Sequence, residues 1–232
     1  MKTLSIVIPA YNEERYIATL LDRIKAVDLG IQILTEHFPR GSDGPAGRWG
    51  PVIAPWTVRE CPGLPAVVSN NEPVGPRTSV ESETDPVKVI AGAVVSWMAG
   101  VGLYVFHTDA GVWGREPLTS MPGANAILDG LAHARSYIPA SIVNWQHHRR
   151  DSPGQPFTAD GAIDLFAATS GDQFFAVALG VRETVHVTAL RPVTFEVIEP
   201  LTGIKGQSQS LAENGKASLK GAGMVVIMGK LN

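Results

Sequence analysis

The sequence is poor in cysteine and in charged residues. Only Cys61 is a cysteine, so neither an internal disulfide framework nor a cysteine-cluster zinc site can form. One thiol in 232 residues suits a reducing compartment, and we expect a cytoplasmic protein. Charged residues make up 18% of the chain and its net charge is -3, which gives no reason to expect nucleic acid as a partner.

The sequence also lacks an unbroken apolar run long enough to span a bilayer. The opening run, Leu4 to Ile8, is short and ends at Pro9, so we expect no signal peptide. The longest later run, Val87 to Phe106, is interrupted by a lysine, a serine and three glycines. We interpret this run as a buried helix followed by a strand. A membrane span is the alternative, but the interruptions lead us to predict none.

The first part of the chain alternates between strand and helix patterns. Hydrophobic residues make up 44% of the sequence, enough for a sizeable core. Asp85-Pro86 predicts the start of a helix that Gly100 ends, and the apolar spacing predicts another helix near Asn125 to Tyr137. Predicted strands cover 3–8, 31–38 and 65–69, and another lies in "VGLYVFHTDAG". This alternation predicts parallel βα units, either half-barrel-like or Rossmann-like.

The last part of the chain has a different pattern. Short apolar runs such as "QFFAVALG" and "ETVHVTAL" follow one another every 8 to 12 residues, with turn residues between them. This spacing is typical of an antiparallel β-sandwich. We therefore predict an α/β fold followed by a sandwich. The predicted domains are 1–152, subdivided into 1–30 and 31–152, and 153–232.

The stretch "LSIVIPAYNEERYIATLL" resembles the first βα unit of family 2 glycosyltransferases, which have the GT-A fold and bind nucleotide-sugars. The resemblance implies that a nucleotide pocket is lined by Pro9, Ala10, Tyr11, Asn12 and Glu13. A strand end beside a helix N-terminus suits a ribose and a phosphate. The resemblance also implies that this pocket binds a UDP- or GDP-sugar together with Mn or Mg. However, the sequence contains no Asp-x-Asp motif, so the usual metal ligands of that family are missing.

The rest of the chain resembles a different carbohydrate enzyme. "PAVVSNNEPVGP", a helix, "GLYVFHTDAGVWG", a further helix and a sandwich resemble the C-terminal half of a (β/α)8-barrel glycoside hydrolase. The resemblance implies that Glu72, at a strand end, is the nucleophile. The substrate-binding residues it implies are His37, Asn71, His107, Asp109 and Trp113.

Glycoside hydrolysis needs a second carboxyl group. Glu36, at the end of the preceding predicted strand, is the candidate acid, with Asp109 as a weaker one. Simpler roles stay open: Glu72 as a loop carboxylate paired with Arg77, and the histidines as hydrogen-bonding residues at strand ends. Trp113 also suits ordinary packing. We interpret His147-His148 as part of a solvated linker and not as a metal site.

The sequence therefore predicts a carbohydrate-active protein that cleaves a glycosidic bond and needs no cofactor. One alternative is a glycosyltransferase-like protein that binds a nucleotide-sugar. Another is a non-catalytic carbohydrate-binding protein whose sandwich supplies the binding surface. About four βα units cannot close a barrel, so a homodimer covering the open α/β layer is a possible assembly.

Overall fold

The computed structural model describes residues 33–37, 49–56, 66–71, 85–101, 103–106 and 124–232. The strands at 33–37, 66–71 and 103–106 are described by their backbone. The predicted elements before residue 31 lie outside the described residues.

Three strands form a parallel sheet in the order β1-β2-β3. They are β1 (Ile33–His37), β2 (Ala66–Asn71) and β3 (Leu103–Phe106). Helix α2 (Pro86–Ala99) connects β2 to β3 along the chain. Helix α1 (Gly50–Ile53) is a single turn, and a 3-10 turn at Ala54–Trp56 follows it.

Nine strands form two antiparallel sheets, and these make up most of the described fold. The six-stranded sheet has the order β10-β9-β12-β7-β6-β4, and the three-stranded sheet has the order β11-β8-β5. The six strands are β4 (Gln146–Arg149), β6 (Asp164–Ser170), β7 (Gln173–Val181), β9 (Val193–Ile198), β10 (Gln209–Leu211) and β12 (Gly223–Leu231). The other three are β5 (Phe157–Asp160), β8 (Thr184–Ala189) and β11 (Lys216–Lys220).

The six-stranded sheet is covered on both faces. Because side chains alternate along a strand, neighbouring residues of β7 enter different cores. Phe174 belongs to the core between the two antiparallel sheets. Phe175 belongs to the core shared with α2 and helix α3 (Ala124–Tyr137). This double burial explains why β7 is apolar along most of its length instead of alternating between apolar and polar residues.

Helix α2 matches the helix predicted from the sequence. Asp85 caps its N-terminus by accepting a hydrogen bond from the backbone N–H of Val87 at 3.0 Å, and Pro86 occupies the first turn. Gly100 ends the helix with φ of 92°, a left-handed conformation that glycine adopts without a steric penalty. The helix is apolar around most of its circumference because it is buried on most sides.

The predicted fold class is wrong. Antiparallel sheets dominate the described residues, which contain only two helices longer than a single turn. The half-barrel-like or Rossmann-like α/β layer is therefore not the architecture. The prediction failed because α2 and α3 pack on one face of the antiparallel sheet, and a strand-helix alternation read along the chain cannot reveal that packing.

No helix in the described ranges is both long and apolar enough to cross a membrane.

Candidate functional site

The carboxyl ends of the three parallel strands lie at one edge of their sheet. His37 pairs in register with Asn70, and Asn70 pairs with Val105 on the other side. Asn71, the last residue of β2, pairs with Phe106, the last residue of β3. The backbone therefore brings the ends of β1, β2 and β3 together. At such an edge, loops from neighbouring strands converge.

Three of the predicted site residues belong to these strand ends. Glu36 and His37 are the last two residues of β1, and Asn71 is the last residue of β2. Glu36 pairs with Ser69 on β2, two residues before Asn71, so the predicted acid Glu36 and the predicted substrate contact Asn71 come from neighbouring strands.

The other predicted residues lie outside the described ranges. Glu72 is the next residue of the chain after Asn71, and His107 is the next after Phe106. Their roles, and those of Asp109 and Trp113, stay predictions. The same holds for the nucleotide-pocket residues Pro9, Ala10, Tyr11, Asn12 and Glu13. Within the described ranges, no three histidine, cysteine, aspartate or glutamate residues group as metal ligands would.

Strand β4 contains a buried histidine that the sequence did not reveal. His148 is 3% exposed, and its Nε2 lies 2.9 Å from the hydroxyl oxygen of Thr169 on β6. Gly154, with φ of 90°, lies against the ring, and a Cβ there would be 2.5 Å from Cε1 of His148. The interpretation of His147-His148 as a solvated linker is therefore wrong, because β4 is an edge strand of the large sheet.

Burial lowers the pKa of His148, since the charged ring would lose water. A hydrogen bond with the backbone of Pro153 raises this pKa, and the positive charge of Arg191 lowers it. The net effect favours the neutral ring. Beside it, the side-chain nitrogen of Gln155 donates to the carbonyls of His148 and Leu165, both at 3.3 Å.

The edge strand is also fixed by an ion pair. Arg149 Nη2 lies 3.1 Å from Asp164 Oδ2, and the Arg149 guanidinium lies over the ring of Phe166 at 5.7 Å. Trp56 packs on the same ring, with ring centroids 4.4 Å apart. The segment that joins the helices to the sandwich is therefore built into the core. Arg149, Phe166 and Trp56 suit a structural role, because their ion pair and ring contacts hold the edge strand against the core.

The described residues also line an open groove of about 550 Å³. The sequence patterns did not predict it. It lies between the loop at 198–206 and the β11–β12 turn, and Val87 from the first turn of α2 also lines it. The signal that could have indicated it is Ile204, an aliphatic residue in the glycine-containing loop "LTGIKG". This side chain is 68% exposed.

No family model and no curated protein matches this sequence. The fold, however, is similar to that of solved glycoside hydrolases. One structure, described as a glycoside hydrolase, aligns with a TM-score of 0.55 and 11% identity over 93% of this chain and 55% of its own. A glycoside hydrolase family 5 protein from Bacteroides vulgatus ATCC 8482 also aligns with a TM-score of 0.55, at 10% identity over 92% of this chain and 53% of its own.

The chain thus spans about half the length of the solved structures that it resembles. At these identities the likeness concerns the fold alone. It agrees with the glycoside-hydrolase part of the sequence resemblance, whereas the glycosyltransferase resemblance of the first 30 residues receives no support. The protein therefore has a glycoside-hydrolase-like fold.

Proposed function

We propose that this chain is a carbohydrate-active protein that cleaves a glycosidic bond at the carboxyl edge of the parallel sheet. The observation that carries the proposal is the likeness of its fold to glycoside hydrolases over more than nine-tenths of the chain. The position of Glu36, His37 and Asn71 at the ends of neighbouring strands supports this location.

In this proposal two carboxyl groups share the chemistry. Glu72 acts as the nucleophile or base, and Glu36 donates a proton to the leaving oxygen. His37, Asn71, His107, Asp109 and Trp113 contact the sugar. A separation of about 5 to 5.5 Å between the two carboxyl groups predicts retention at the anomeric carbon, and one of about 6.5 to 9.5 Å predicts inversion.

The test is hydrolysis of a panel of aryl glycosides and polysaccharides by the purified chain. Glu72→Gln keeps the shape of the side chain but removes its charge, so we expect turnover to fall at least about 100-fold. Glu36→Gln should lower turnover most for substrates with poor leaving groups, because these need the proton. Glu213→Gln, at an exposed position in the turn before β11, is the matched control and should leave turnover unchanged.

Hydrolysis that is unaffected by Glu72→Gln would contradict the assignment of the nucleophile. Absence of hydrolysis across the whole panel would favour the second candidate, a carbohydrate-binding protein without turnover. In this second candidate the antiparallel sheets, which make up most of the described fold, would supply the binding surface. Saturable binding of a polysaccharide that survives Glu72→Gln would support it.

A further inference from the structure

The groove between the 198–206 loop and the β11–β12 turn, here called the loop groove, has the volume of a small-molecule site. Its volume of about 550 Å³ falls within the range of about 300 to 1,000 Å³ that ligand pockets occupy. The side chains that line it are mainly aliphatic. Those with exposed surface are Val87, Val197, Leu201 and Ile204, whereas Ile198, Met224 and Val225, which also line the groove, are buried.

The loop that forms one wall of the groove is held in place by backbone hydrogen bonds. Glu199 N donates to Ile204 O at 2.9 Å, and Gly206 N donates to Val197 O at 2.8 Å. Gly203 N closes the turn by donating to Glu199 O at 2.8 Å. A wall fixed in this way loses little conformational entropy when a ligand binds.

Helix α3 supports the same loop from behind. His133 Nδ1 donates to the carbonyl of Leu201 at 2.7 Å, and the Tyr137 hydroxyl donates to the carbonyl of Pro200 at 3.3 Å. The Tyr137 ring also stacks on Phe175, with ring centroids 6.4 Å apart. The loop is therefore anchored to the core, and Ile204 remains 68% exposed at the groove without having to move.

Among the charged groups that line the groove, Lys220 is the cation available to bind an anion. Lys205 and Lys220 both line the groove, against the single carboxylate of Glu199. One oxygen of Glu199 already accepts a hydrogen bond from Thr202 N at 2.6 Å. Lys205 pairs with Glu196 at 3.5 Å, whereas Lys220 makes no ion pair with any of the described residues.

We propose that the loop groove binds a small apolar organic anion, such as an aryl or alkyl group that carries a carboxylate or sulfonate. The aliphatic walls would bury the apolar part, and Lys220 would face the negative group. The described lining contains no aromatic side chain on which a sugar ring could stack, so the groove suits this class of ligand better than a saccharide.

The test is a fluorescence titration of the full chain with anilinonaphthalene sulfonate, an aryl sulfonate whose emission rises in apolar surroundings. We expect saturable binding at one site. Ile204→Asp removes an apolar contact and adds a like charge to that of the ligand, so affinity should fall by at least about tenfold. Leu190→Asp, at a similarly exposed aliphatic residue outside the groove, is the matched control and should leave affinity unchanged.

A second pair of variants tests the anionic part of the proposal. Lys220→Glu should weaken binding of the sulfonate by at least about two- to fivefold, while Lys216→Glu on the same strand should not. The neutral analogue phenylnaphthylamine should bind equally to Lys220→Glu and Lys216→Glu, because it carries no charge for the lysine to attract. Raising the salt from about 0.1 M to about 1 M should weaken binding of the sulfonate alone.

Three results would overturn the proposal: no saturable binding, equal loss in Ile204→Asp and Leu190→Asp, or a sulfonate affinity that is insensitive to Lys220→Glu. The second of these would mean that the dye reports a partly unfolded chain. Because no sugar is turned over in this titration, its outcome is independent of whether Glu72 is catalytic.

Discussion

At the level of single residues, the environment of His148 determines which protonation state it adopts. Its ring is buried, contacts Gly154 on one side and lies within hydrogen-bond distance of Thr169 on the other. Charging such a ring requires removing a cation from water. The ring therefore fastens the edge strand β4 to β6 in its neutral form.

This position predicts acid sensitivity. The pKa of His148 is lowered in the folded chain, so below about pH 6.5 the unfolded chain takes up a proton at this ring before the folded chain does. The free energy of unfolding should therefore decrease as the pH falls below about 6.5 and level off below the folded-state pKa. Urea unfolding measured between about pH 8 and about pH 5 reports this slope.

His148→Gln removes the titrating group and should flatten part of this slope. His186→Gln is the matched control, because His186 is an exposed histidine on β8. Its Nδ1 lies 2.9 Å from the hydroxyl oxygen of Ser218. An identical pH slope in the original chain and in His148→Gln would refute the assignment.

At the level of elements, α2 links the parallel sheet to the large antiparallel sheet. It joins β2 to β3 in the chain, and it packs in the same core as Phe166 and Phe175. The start of α2 is fixed by Asp85, which accepts a hydrogen bond from Val87 N. A helix whose first turn relies on a side-chain cap should be sensitive to the loss of that cap.

Asp85→Ala should therefore lower the free energy of unfolding by about 0.5 to 2 kcal/mol, because a first-turn N–H loses its acceptor. Asp85→Asn retains a side-chain oxygen and should cost much less. Denaturant unfolding of the two variants at one pH separates the cap from the charge. Equal destabilisation by alanine and asparagine would mean that the carboxylate charge, and not the cap, supports the helix.

At the level of the whole molecule, one hydrophobic core crosses the boundary predicted near residue 152. Val94 and Ile127 from the helices share it with residues from the antiparallel sheet. The sheet residues in that core are Phe166, Ala168, Phe175, Val177, Leu179, Ile198, Met224 and Val226. Separating the two parts would expose this face to water, which is unfavourable in proportion to its apolar area.

A fragment that begins at Gln155 should therefore aggregate or unfold without cooperativity, whereas the full chain should unfold in one cooperative transition. The fragment lacks β4, which pairs with β6 in the full chain. It also loses the hydrogen bond from the Gln155 side chain to the carbonyl of His148. Size-exclusion chromatography and thermal unfolding of both proteins test this. A monomeric fragment with its own sharp transition would show that the sandwich is an independent unit.

Local sequence patterns were sufficient to locate several of the elements, although β4 was interpreted as part of a linker. Asp85-Pro86 and Gly100 bound α2 because capping and left-handed glycine are local properties. The apolar runs "QFFAVALG" and "ETVHVTAL" coincide with β7 and β8 because turn residues separate them. Of the candidate site, the sequence placed Glu36, His37 and Asn71 at strand ends, and the backbone has them there.

Only the tertiary structure decided how these elements pack. The sequence does not state that α2 and α3 cover the antiparallel sheet, because a helix that is apolar on most sides can pack against several partners. Nor does it state that His148 is buried, since burial depends on Thr169 and Gly154 approaching from elsewhere in the fold. The loop groove likewise exists only because residues from α2, β9 and the β11–β12 turn meet in space. Long-range contacts determined the fold class, and the local patterns determined its parts.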